Sequence, residues 1–170
     1  MMTHEESGVS RGGGRPHWWS LVLGFVLFPA PAFALIITLS FESVPGSVPL
    51  TGAGTPNATL SFGSVSAFEP LNPGVNRTVG ASSYTISTSV GVRVTRVVSL
   101  SPNYTLQARL QSGHPLTWKL DGVTLSTTPA TISTSQPFGS TVPHTLAFVV
   151  PFSHAVGAVT TVLEVTAIGN

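Results

Sequence analysis

After residue 34, apolar residues recur at every second position over much of this chain, and no stretch shows the three-to-four spacing of a helix facing a core. Tyr104, Leu106, Ala108 and Leu110 alternate with Thr105, Gln107, Arg109 and Gln111, which puts the two sets on opposite faces of an extended strand. The same period runs through Leu116, Trp118 and Leu120, through His144, Leu146, Phe148 and Val150, and through the run Thr78–Val90, read as one strand with Tyr84, Ile86, Thr88 and Val90 in phase. Beyond Gly91 it is followed by Val92, Val94, Val97 and Val98. Leu35, Ile37, Leu39 and Phe41 share one side of a further strand, with Thr38 and Ser40 on the other. Ala58–Phe68, with Leu60 and Phe62 in phase, and Val159–Ile168 read as strands too. Asp121-Gly122 is the dipeptide of a two-residue hairpin turn. Eight or nine short strands, with turn signals roughly every eight to twelve residues, predict an all-β sandwich. Its expected core is Leu60, Phe62, Tyr84, Ile86, Tyr104, Leu106, Trp118, Leu120, Leu146, Phe148, Leu163 and Val165.

The pattern before residue 35 is different. Arg11 and Arg15 precede the apolar run Trp18–Phe28, then Pro29 and Pro31 break it, and Ala32-Phe33-Ala34 follows. Basic, then apolar, then small-x-small is the order of a secretory signal peptide, with Ala32 and Ala34 fitting the peptidase pockets. The expected organisation is therefore a signal peptide over 1–34, an apolar strand with a linker over 35–56, and a β-sandwich domain over 57–170. The linker is read from VPGSVPLTGAGTP at 44–56, whose prolines and glycines cannot pair as a central strand. An alternative is that Trp18–Phe41, a largely apolar stretch of 24 residues, is retained as a membrane anchor. Either way the expected location is secreted, periplasmic or at the cell surface, and the membrane is met only through the export signal or an uncleaved anchor.

Composition narrows the partners. From residue 35 on, five basic side chains (Arg77, Arg93, Arg96, Arg109, Lys119) face four acidic ones (Glu42, Glu69, Asp121, Glu164). So sparse a charge cannot build the basic patch that nucleic acid requires, and no nucleic-acid partner is expected. The polar faces are built instead from 20 Thr and 18 Ser, which suit exposed strands. Low net charge also gives little protection against self-association. There is no cysteine, so neither disulfides nor a lipid-modified junction cysteine can form. The Thr-Ile-Ser-Thr-Ser string at 85–89 and 131–135 reflects Ser/Thr-rich strands rather than a repeat.

Candidate chemistry is thin. His114, His144 and His154 form no HxH or HxxxH pair that would offer two ligands from one element, so they read as exposed histidines and no metal or cofactor is expected. Asp121 is the only aspartate and sits in the hairpin turn; no Gly-x-Ser-x-Gly elbow occurs. Glu42, Glu69 and Glu164 read as solvated carboxylates. Tyr84, Tyr104 and Trp118 could stack on sugar rings, but each falls in phase with aliphatic neighbours and so points inward. A hydrolase would need a cleft joining a carboxylate to one of the histidines. The segment with most to offer is the strand bearing Leu35, Ile37, Leu39 and Phe41. An apolar strand needs a partner edge, either in its own sandwich or in the next molecule, and the second choice polymerises the protein.

Leu60-Ser61-Phe62-Gly63-Ser64-Val65, the middle Tyr104-Thr105-Leu106 and Trp118-Lys119-Leu120, and the close Val150-Pro151-Phe152, Ala155-Val156-Gly157 and Val159–Ala167 resemble exported bacterial β-sandwich proteins of the spore coat U and fimbrial-subunit-like kind. The resemblance covers most of 57–170. It implies an immunoglobulin-like sandwich of about seven to nine strands that forms pili, coats or other surface assemblies, often through a donated strand. This chain departs from that pattern in having no cysteine and no clear tyrosine near the end of its last strand. The expected function is a non-catalytic surface or structural subunit, a homo-polymer or the ligand of a surface partner. The alternatives are a secreted carbohydrate-binding module and a secreted hydrolase.

Overall fold

The computed structural model describes residues 37–97, 102–155 and 157–170; the leader with Ala32 and Ala34, Leu35 of the candidate strand, and Val98 lie outside them. Among the described residues nine strands follow in order: β1 (Ile37–Glu42), β2 (Asn76–Val79), β3 (Ser83–Arg96), β4 (Asn103–Leu110), β5 (Thr117–Leu120), β6 (Val123–Thr124), β7 (Ala130–Pro137), β8 (Thr141–Pro151) and β9 (Leu163–Gly169). All pairings are antiparallel. One sheet runs β1-β3-β8-β5-β6, with β2 also on β3, and the other runs β7-β4-β9. The protein is an all-β sandwich.

β3 organises it. Ile86, Thr88, Val90, Val92 and Val94 all turn inward and are buried, so the strand keeps one phase through Gly91 for 14 residues. That length lets one edge of β3 carry two strands in line: β2 against Tyr84–Ser87 and β1 against Gly91–Arg96. The core divides the same way. The larger cluster includes Ile86, Val90, Leu110, Trp118, Leu120, Leu146 and Phe148. Phe62 packs its ring edge-on to Phe148, with centroids 5.0 Å apart, and Trp118 lies 4.8 Å from Phe148. The smaller cluster is Val92, Val94, Tyr104 and Leu106, roofed by Ile37, Leu39, Phe41, Phe138, Val165 and Ala167.

Three sequence expectations need correction. Ala58–Phe68 is not a strand. Leu60, Phe62 and Val65 do pack against the core, but the segment's one bridge is Thr51 with Thr59. The 44–56 stretch does not behave as a linker. Val48 is buried in the core, its N–H donates to the Thr88 hydroxyl at 3.1 Å, and that hydroxyl donates to the Gly74 carbonyl at 2.8 Å. The run Thr78–Val90 is two strands, split where Gly80 N–H donates to Ser83 O at 2.8 Å. β1 and the stretch after it therefore belong to the same compact unit as the rest of the sandwich.

Tyr104 is fully buried, and its hydroxyl has no hydrogen-bond partner among the described residues. Burial pushes its phenol up from the ordinary tyrosine value. A folded pKa above the unfolded one gives a stability contribution that is complete below about pH 10 and is lost as pH rises through the folded value. Tyr104→Phe removes an unsatisfied buried hydroxyl and is expected to raise stability by about 1 kcal/mol. It should also flatten the alkaline decline. Urea midpoints at neutral and alkaline pH check both effects. With only two tyrosines in the chain, ultraviolet titration should show one of them ionising late until Phe replaces Tyr104.

Candidate functional site

The candidate interaction strand, β1, is an end strand of the larger sheet. Within β1, Ile37, Leu39 and Phe41 face the small cluster, and the register pairs Ile37 with Arg96, Leu39 with Val94 and Phe41 with Val92. Beneath them Val92 and Val94 are 1% and 0% exposed. Lifting β1 away would uncover them and leave six residues of β3 without partners on that edge. Among the described residues β1 is tied on its outer edge only at Phe41, whose N–H donates to Thr55 O at 3.0 Å and whose carbonyl accepts from Gly54 N–H at 2.7 Å. Beyond β1 the chain reverses at Val44–Ser47, where Ser47 N–H donates to Val44 O at 3.1 Å. From Val48 on it is held by Thr88.

The histidines differ from expectation. His144 is not an exposed loop residue: it faces the core from β8, is 2% exposed, and its Nδ1–H donates to Asp121 Oδ2 at 2.6 Å. The β5–β8 register, Leu120 opposite Leu146, brings them together. Asp121, at φ 50, and Gly122, at φ 82, make the left-handed turn that joins β5 to β6. From there Asp121 Oδ1 also accepts from Thr145 N–H at 2.7 Å. A carboxylate thus does meet a histidine, but without a cleft. His144 Nε2, the atom that would address a nucleophile, is buried and has no hydrogen-bond partner among the described residues. His114 is half-buried before β5, where its Nδ1 accepts from Leu116 N–H and Trp118 Nε1–H, both at 3.0 Å. His154 lies beyond β8 in the turn closed by its N–H on Pro151 O. Among the described residues no three His, Asp or Glu side chains converge to hold a metal.

The remaining candidates separate as well. Tyr104 and Trp118 are core residues and Tyr84 is half-buried, so these three form no stacking row. A different aromatic row was not anticipated: Phe68 (79% exposed) stacks on Phe152 at 6.4 Å, and Phe152 lies 6.0 Å from Tyr84. Its members are 84 residues apart in sequence at the widest, so no local pattern announces it. Glu164 pairs with Arg109 at 2.6 Å on the outer face of the smaller sheet, an exposed pair that adds little stability. Beside it Gln107, Arg109, Pro129 and Thr166 line a shallow concavity of about 110 Å³, well below the roughly 300–1,000 Å³ of small-molecule sites. No helix among the described residues is long and apolar enough to cross a membrane.

No protein-family model matches this chain, and no match to a curated protein was found.

Proposed function

We propose that the protein is exported and works as a non-catalytic structural or adhesive subunit at the cell surface, of the pilus, coat or adhesin kind, that self-associates by donating β1. The observation that carries this reading is the placement of β1. It completes the smaller core and the open half of the β3 edge, yet it is joined to the rest through a single turn at Val44–Ser47. The same strand on the β3 of a second copy would make the same contacts. Closed and exchanged forms then differ mainly in the turn and in concentration, the situation in which strand exchange occurs. The carbohydrate-binding alternative loses Tyr104 and Trp118 to the core, and a hydrolase finds His144 sealed from solvent.

The absence of cysteine allows a direct test. Leu39 and Val94 face each other across β1 and β3. Because Phe41 aims its N–H and C=O away from β3, Leu39 does too, and the Leu39–Val94 pair is a close one without ladder hydrogen bonds, suited to a disulfide. Mixing a Leu39→Cys chain with a Val94→Cys chain is expected to give mixed disulfides between copies. If both chains stay monomeric with free thiols, β1 is not exchanged. Sequencing of exported material is expected to begin at Leu35; an intact leader would support the anchored form.

A further inference from the structure

We infer that the free edge of β9 pairs, antiparallel, with β9 of a second copy, joining two three-stranded sheets into one of six across a two-fold axis at Thr166. This contact is separate from the exchange of β1 and stands without it.

β9 is hydrogen-bonded on one side only, to β4, from Tyr104 opposite Gly169 to Leu110 opposite Leu163. At the two ends of this ladder Gln111 N–H donates to Val162 O and Asn170 N–H donates to Asn103 O, both at 3.0 Å. Even-numbered residues of this segment therefore turn their backbone groups to β4, and alternation turns those of Leu163, Val165, Ala167 and Gly169 outward. Among the described residues no strand receives them. Such an edge is a template for another strand unless something blunts it.

The other edges are blunted. β7 is broken by register shifts against β4, holds Ser135 at φ 59 and ends in Pro137. β6 has two residues and β2 has four. β1 is capped at Phe41 by Gly54 and Thr55. β9 offers seven residues in unbroken register with no proline, and its one charge, Glu164, is already paired with Arg109. Among the described residues, three of the seven exposed large apolar side chains lie here, Ile168 in β9 and Val159 and Val162 just before it.

Self-complementarity points to a second copy as the partner. With the axis at Thr166, Leu163 meets Gly169 and Val165 meets Ala167 as hydrogen-bonded pairs. On the outer face Glu164 meets Ile168, and Thr166 meets Thr166, a favourable cross-strand pair. Moving the axis to Glu164 would oppose two carboxylates and shorten the ladder, so the charge pattern selects the register centred on Thr166.

That register puts the two Thr166 Cα atoms about 4.5 Å apart, within disulfide reach. Thr166→Cys, in the protein purified after export, is expected to oxidise to a covalent dimer. Thr131→Cys, equally exposed on β7 of the same sheet, should stay largely reduced. In sedimentation velocity Thr166→Lys, which sets two ammonium groups face to face, should halve the mass of the species that the wild type forms. Equal cross-linking at positions 131 and 166, or identical sedimentation of wild type and Thr166→Lys, would overturn the inference. The Thr166 cross-link reads the β9 contact whether or not β1 also exchanges.

Discussion

Gly74→Ala is expected to destabilise the fold by about 4 kcal/mol, a large share of the roughly 5–15 kcal/mol that holds a domain of this size together. Two costs combine. Gly74 sits at φ 82, where a side chain strains the backbone by about 1–2 kcal/mol. A Cβ there would also lie 2.5 Å from the Val48 nitrogen and 2.6 Å from the Ser47 oxygen, inside contact distance of backbone that cannot rotate away. Relief requires moving Ser47 and Val48, which breaks the bond from Val48 N–H to the buried Thr88 hydroxyl. Leaving such a group unpaired costs about 1–3 kcal/mol. Gly46→Ala is the matched comparison. Its φ is 77, but a Cβ there would meet nothing within 4 Å, so only the strain of about 1 kcal/mol should appear. Urea unfolding with unchanged slope and a lowered midpoint measures both variants. Equal losses at the two positions would mean that the packing of Ser47 and Val48 against Gly74 contributes nothing.

The same contact marks where the sequence stops being informative. Alternation in Tyr104–Leu110 predicts β4 in phase, because a half-buried strand displays its two faces in its own residues. Asp121-Gly122 predicts its turn because only a few residue types accept the left-handed backbone. Ala58–Phe68 shows why alternation alone is not a strand: it reports which side chains meet the core, while ladder partners are set by the rest of the chain. The Pro/Gly-rich 44–56 stretch has a linker's composition, yet it is fixed by Thr88, 40 residues away. His144, expected among the exposed histidines, lies in phase with Leu146, Phe148 and Val150 on the core face of β8. Its partner, 23 residues earlier, follows from the β5–β8 register. The outer-edge geometry of β1 and β9 is of this kind too, since a strand's own residues do not say whether it ends a sheet.

Asp121→Asn is expected to cost about 2 kcal/mol, and nearly all of that cost should vanish when His144 is also replaced. The carboxylate accepts from two donors at once, His144 Nδ1–H at 2.6 Å and Thr145 N–H at 2.7 Å. An amide has one oxygen, so it either turns its NH₂ toward one of those donors or forces the imidazole into its other tautomer. The second arrangement places an N–H at Nε2, which is buried without a partner. Losing a charge-assisted bond or stranding a buried donor costs about 1.5–3 kcal/mol. Asparagine tolerates the left-handed φ of 50 at this turn, so the backbone should not add to the loss. His144→Leu removes both ring nitrogens from an apolar setting, frees Asp121 to water through its exposed side, and should be close to neutral. In that background Asp121→Asn should cost less than about 0.5 kcal/mol, giving a coupling energy near 2 kcal/mol in the double-mutant cycle. An undiminished loss in the His144→Leu background would assign Asp121 to the turn and the Thr145 bond alone, with His144 a bystander to the stability of the β5–β6 hairpin.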